Sequence, residues 1–100
     1  MSAVELYLTC ARVVARERDL PIDAVLMPRG RYARSARHVA MYIAHVGCGV
    51  PVRRVARLAG VNQRDLRRVF NAVEERRECR RFDEAVETME RSAADAAHAE

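Results

Sequence analysis

Arg53, Arg54 and Arg57, followed closely by Asn62, Gln63, Arg64, Arg67, Arg68 and Asn71, are the side chains in this sequence best placed to do chemistry. Their planar heads form hydrogen bonds and do not act as nucleophiles. A guanidinium matches two phosphate oxygens or the edge of guanine, and an Asn or Gln amide matches the edge of adenine. The chemistry they suggest is non-covalent recognition of duplex DNA. The distribution of charge agrees. Residues 29–68 hold ten arginines and a single acid, Asp65, for a formal charge of +9. Residues 1–28 sum to −1 and residues 69–100 to −4, which leaves +4 for the chain. Charge segregated in this way marks a surface that attracts a polyanion.

Such side chains act together only if short rigid elements hold them. Val4, Tyr7, Leu8, Ala11, Val14 and Ala15 recur at three- and four-residue spacing and predict an amphipathic helix over 3–18. Leu20-Pro21 ends it, and Pro21 suits the first turn of a short helix with Ile22, Val25 and Leu26 inward. Residues 27–33, with Pro28, Arg29, Gly30 and Arg31, read as a basic loop. Ser35 is the expected N-cap of a third helix with Val39, Ala40, Ile43 and Val46 inward. Its opposite face would carry Arg34, Arg37, His38, Met41 and His45. Gly47-Cys48-Gly49 ends that helix and Pro51 opens the next. A last helix over 82–97 aligns Phe82, Ala85, Val86, Met89 and Ala93, with Glu84, Glu87 and Glu90 elsewhere and fraying expected after Ala94. Glu74, Glu75 and Glu78 would pair with Arg76 and Arg77 on a solvated surface. No strand alternation or internal repeat occurs. The expectation is an all-α domain over 1–100 with five to six helices.

Residues 52–73, VRRVARLAGVNQRDLRRVFNAV, fill the slots of a helix-turn-helix in order, and the motif is placed at about 51–78. Val55 and Ala56 provide the apolar and small positions at which the second helix crosses. Gly60 tolerates the positive φ of the turn, and Val61 plugs its underside. Leu66, Val69, Phe70 and Val73 form the buried stripe of the second helix. Its outward residues are assigned to bases at Asn62, Gln63, Arg64 and Arg67, and to phosphates at Arg68 and Asn71. Arg53, Arg54 and Arg57 lie on the helix that crosses the DNA backbone in this motif, and are assigned to phosphates.

The order of elements and two short segments resemble the C-terminal DNA-binding domain (domain IV) of the bacterial replication initiator DnaA. The likeness covers roughly 6–77. Arg37-His-Val-Ala-Met41 is similar to the family's Pro-Arg-Gln-Met-Ala-Met, and Arg64-Asp-Leu-Arg-Arg-Val69 to its Arg-Asp-His-Thr-Thr-Val. The resemblance implies that Arg29 enters the minor groove, with Arg31 beside it. It also implies that Arg64 and Asp65 face the major groove, and it puts His38 beside the DNA backbone; Arg34 and Arg37, on the same face of that helix, are assigned to the backbone as well. Two departures stand out. Leu66-Arg67-Arg68 replaces the family's His-Thr-Thr, and Gly60-Val-Asn-Gln63 lengthens the turn by one residue. These bear on which duplex is preferred, and general affinity for duplex DNA remains the expectation. The hundred residues contain no GxxxxGK[ST] phosphate loop, so the expectation is the DNA-binding module standing alone.

Other classes of function find little support. His38, His45 and Cys48 lack the number and spacing of a zinc site, and no metal or cofactor is expected. No Ser-His-Asp or Cys-His arrangement suggests catalysis, so an enzyme is not expected. Cys10, Cys48 and Cys79 read as free thiols of a reducing cytoplasm. No apolar run is long enough to span a membrane, and the N-terminus carries Glu5 without a basic leader region. A cytoplasmic, nucleoid-associated protein is the expectation, regulating replication initiation or transcription. A helical adaptor that binds the replication initiator or its regulators through the last helix, without DNA, is the alternative. A homodimeric repressor is a third, and the oligomeric state is left open.

Overall fold

The computed structural model describes residues 1–99. Six α-helices make up the described fold: α1 (Ala3–Glu17), α2 (Ile22–Leu26), α3 (Gly30–Tyr42), α4 (Val52–Ala59), α5 (Gln63–Arg76) and α6 (Arg80–Ala97). The all-α class is as expected. A π-helical turn, Ile43–Gly47, continues α3. No helix among the described residues is long and apolar enough to cross a membrane.

α1 begins at a capping box. The Ser2 hydroxyl accepts from the Glu5 N–H at 3.2 Å, and the Glu5 carboxylate accepts from the Ser2 N–H at 3.4 Å. It ends where Asp19 turns left-handed at φ 55°, with the Leu20 N–H on the Ala15 carbonyl at 2.8 Å. Its inward stripe is Tyr7, Cys10, Ala11, Val14 and Ala15, while Val4 in the first turn is exposed. α1 packs along α3 on one side and α6 on the other, so it runs through the centre of the core.

α3 departs from expectation at both ends. It starts at Gly30, with Arg29 extended ahead of it, so Arg31 and Arg34 are helical and only 27–29 remains a basic loop. Gly30 makes this early start possible because it accepts φ 84°, and Ser35 therefore lies inside the helix and does not cap it. At the other end the π turn closes with the Cys48 N–H on the Ile43 carbonyl at 3.1 Å. The wider turn shifts the helical register, and Val46 points outward instead of inward. Met41 is buried and not on an outer face, because α3 is covered by α1, α2 and α5 together.

α6 buries Val86, Met89 and Ala93 against α1 and the π turn. Burying Val86 and Met89 contributes roughly 1.5–3 kcal/mol each, and the helix extends to Ala97. Arg77 does not sit on a solvated surface with its neighbouring glutamates. It bonds Asp83 at 2.5 Å, Glu90 at 3.2 Å and the Tyr42 hydroxyl at 3.2 Å, joining α3, α5 and α6. The Tyr42 hydroxyl in turn donates to Glu74. Arg76 lies over the Phe82 ring at 4.0 Å and donates to the Ser35 hydroxyl at 3.2 Å.

Candidate nucleic-acid interface

The outward arginines of α4 and α5 are set by what each helix buries. Val55 and Ala56 face the core from α4, which leaves Arg53, Arg54 and Arg57 exposed. Gly60 closes α4 at φ 71°, with its N–H on the Arg57 carbonyl at 3.3 Å and the Val61 N–H on Ala56 at 2.9 Å. This left-handed closure ends α4, and three residues lead from it into α5. α5 then starts at Gln63, with the Asn62 side-chain oxygen accepting from the Arg64 N–H at 2.7 Å. Leu66, Phe70 and Val73 are buried and Val69 is half-buried. Gln63, Arg64, Arg67, Arg68 and Asn71 are consequently left exposed. Asp65 stands in the first turn, where the positive end of the helix dipole favours a carboxylate.

A cleft of about 700 Å³ opens between the start of α5 and the region around α3. Its floor is apolar, from Met41, Leu66 and Val69, and Arg29, Arg34, Arg37 and His38 supply basic groups on one wall. Asn62 and Asp65 line it from α5. The Arg29 segment and α3 therefore meet the start of α5 at one cavity, with the basic groups on the α3 side and Asn62 and Asp65 on the α5 side. Of the residues assigned from sequence, the cleft brings together Arg29, Arg34, Arg37, His38, Asn62 and Asp65. The remainder, Arg31, Arg53, Arg54, Arg57, Gln63, Arg64, Arg67, Arg68 and Asn71, lie exposed outside its lining.

Two of these side chains have work within the fold. Asn62 is the N-cap of α5. Arg37 is half-buried, donates to the Ala59 carbonyl at the end of α4, and also places its charge near Tyr7 of α1. His38 is held below its ordinary range by partial burial, then by the charges of Arg37, Arg34 and Arg76. It is therefore neutral at neutral pH. Among the described residues no ion pair involves any of the ten arginines in 29–68. The acids that could have neutralised them are few, and Asp83, Glu84 and Glu90 are paired with Arg77 and Arg80 instead.

In comparisons with known proteins, no family model, no curated protein and no solved structure matches this chain.

His45 and Cys48 do not converge with His38 on a common point. His45 stacks on Phe70 at 5.3 Å and donates from Nδ1 to the Val50 carbonyl at 2.7 Å, and Cys48 faces Cys10. Among the described residues no group of three or more His, Cys, Asp or Glu could hold a metal ion. Sequence reasoning missed the inward role of Arg37 and the apolar floor at Met41. It also missed the cap at Asn62, although Asn immediately before a helical stripe is a recognisable N-terminal signal.

Proposed function

We propose that the chain binds double-stranded DNA through Arg29, α3, α4 and α5, and regulates replication initiation or transcription. The observation that carries this reading is the meeting of the Arg29 segment and the start of α5 at one cleft. It occurs in a region of ten arginines with no acidic partner among the described residues. Such a concentration of like charge repels itself until a polyanion supplies the counter-charge. In this reading Arg29 enters the minor groove, and Gln63, Arg64 and Arg67, flanked by Asn62 and Asp65, read base edges. Arg31, Arg34, His38, Arg53, Arg54, Arg57, Arg68 and Asn71 hold the sugar-phosphate backbone. The resemblance to domain IV of DnaA is the support for replication control. Leu66 stands at that family's His position and is buried, so the difference in base contacts falls to Arg67 and Arg68.

Selection of bound duplexes from a random pool, followed by salt titration on the selected site, tests the proposal. Neutralising about six phosphates gives a slope of roughly −5 in log affinity against log salt. Absence of duplex affinity near about micromolar at low salt would overturn it. Recovery of an initiator-like site would assign the protein to replication control. The adaptor alternative would have to use the charged surface of α6, because Val86, Met89 and Ala93 are already buried.

A further inference from the structure

Cys10 and Cys48 are 38 residues apart in the chain, and their sulfurs lie 3.6 Å apart in space. Cys10 is fully buried on α1. Cys48 is half-buried between the π turn and α4, and it lines an open cleft of about 340 Å³ with Met1, Leu6, Gly47, Ala94 and His98. Of the pair, Cys48 alone borders a cleft open to small solutes, and Cys10 is closed off from it. The backbone around the two also differs. Gly47 and Gly49 flank Cys48, with Gly49 at φ 74°, whereas Cys10 is fixed in the middle of a helix. A disulfide holds its sulfurs about 2.05 Å apart, so closing the pair needs an approach of about 1.5 Å. Of the two backbones, the glycine-flanked one has the wider choice of conformations.

We propose that Cys48 and Cys10 form a peroxide-reactive dithiol: a hydroperoxide oxidises Cys48, and Cys10 resolves the product into an intramolecular disulfide. In the first step Cys48 gives up its proton and its sulfur attacks the terminal oxygen of the hydroperoxide. The S–O bond forms, the O–O bond breaks, and water or an alcohol leaves. In the second step the Cys10 sulfur attacks the Cys48 sulfur. The S–S bond forms, the S–O bond breaks, and the departing hydroxide takes the Cys10 proton to leave as water. The two thiols lose two electrons and the peroxide gains them. Burial, reinforced by the adjacent Cys48, keeps the Cys10 thiol protonated until that second step, which suits it to resolve and not to react first. Exposed Cys79 takes no part. This inference does not depend on the DNA-binding reading.

The test uses the full chain carrying Cys79→Ser, treated with hydrogen peroxide and mapped by non-reducing peptide mass spectrometry. The expected result is a loss of two hydrogens, reversed by a dithiol reductant, with the Cys10 and Cys48 peptides linked. Closing a loop of this length should also raise the melting temperature of the oxidised form. In Cys10→Ala/Cys79→Ser, dimedone should trap Cys48 as a sulfenic acid adduct, with circular dichroism confirming the helical fold. Three results would each overturn the proposal: no Cys10–Cys48 link, sulfinic acid on Cys48 ahead of any link, or oxidation of Cys10 in Cys48→Ala/Cys79→Ser. If Cys10→Ala does not fold, the peptide map of the Cys79→Ser protein decides alone.

Discussion

Arg37 donates a hydrogen bond to the carbonyl of Ala59, 22 residues further along the chain. The contact joins α3 to the last turn of α4, where unpaired carbonyls and the negative end of the helix dipole favour a cation. One of the ten arginines in 29–68 therefore holds the end of α4, next to the α4–α5 turn, in place. Arg37→Ala should lose about 1.5–3 kcal/mol of stability, the usual contribution of a hydrogen bond to a charged group. Urea denaturation measures this. Wild-type stability combined with weakened duplex binding would instead make Arg37 a phosphate ligand alone.

Asn62 caps α5, and substitution can separate that role from the base reading proposed for it. Its side-chain oxygen caps α5, so Asn62→Ala should cost about 1 kcal/mol, while Asn62→Ser, which keeps a cap, should cost little. An amide that reads adenine is lost in both. Asn62→Ser should therefore weaken the preferred duplex and leave a scrambled one unchanged, at nearly wild-type stability. Equal binding of both duplexes by Asn62→Ser and wild type would reduce Asn62 to a cap.

Arg77 is the hinge pin of the C-terminal half. Its side chain is only 18% exposed, and it satisfies Asp83, Glu90 and the Tyr42 hydroxyl at once. Arg77→Met keeps much of the side-chain volume but strands Glu90, which is 19% exposed, without its partner. The loss should be about 1.5–3 kcal/mol in a chemical denaturation curve. Asp83→Asn should cost less, because Asp83 is 36% exposed and water replaces part of what it gives up. Equal costs for the two would mean that the network does not act through burial.

Most of the helical frame was legible because each helix is amphipathic and every break except the last, at 77–79, carries or adjoins Pro or Gly. Gly60 is the clearest case, since a left-handed closure between two helices has few other occupants. What escaped the sequence follows from tertiary contact. The π turn that turns Val46 outward has no compositional mark, and Met41 is buried only because three helices cover α3. Arginine is the harder case. Its type fixes a charge and a reach of several ångströms, but its partner depends on whatever lies within that reach. Hence Arg37 on Ala59, Arg76 on Phe82 and Arg77 on Asp83 could not be told from solvated neighbours, although the excess of positive charge over 29–68 could.

His38 gives the protein a pH signature. Partial burial, then the charges of Arg37, Arg34 and Arg76, hold its folded-state pKa below the ordinary 6.5. The unfolded chain therefore takes up a proton at His38 before the folded one does. Its contribution to stability is fully present above pH 6.5 and is lost as pH falls from there towards the lowered folded value. His38→Gln should remove this loss, so the stability difference between variant and wild type should shift in favour of the variant below pH 6.5. Denaturation midpoints of both proteins across that range measure it. Parallel curves would show that His38 titrates alike in the folded and unfolded states.

Arg64 offers the sharpest test of base reading. Its backbone N–H is tied to Asn62, which fixes where the side chain leaves α5, while the guanidinium itself is exposed and without an ion pair among the described residues. A guanidinium held this way can bond guanine through two donors only if α5 lies in the major groove. Arg64→Ala should then cost about 1–3 kcal/mol for the selected duplex and relax the preference at one base pair. Arg53→Ala, a phosphate assignment, should instead weaken selected and scrambled duplexes alike and flatten the salt slope by about one. Fluorescence anisotropy on the two duplexes across a salt series separates these behaviours. If Arg64→Ala follows the pattern expected of Arg53→Ala, then α5 contacts only the backbone, and selectivity has to come from Arg29 in the minor groove or from the shape of the duplex.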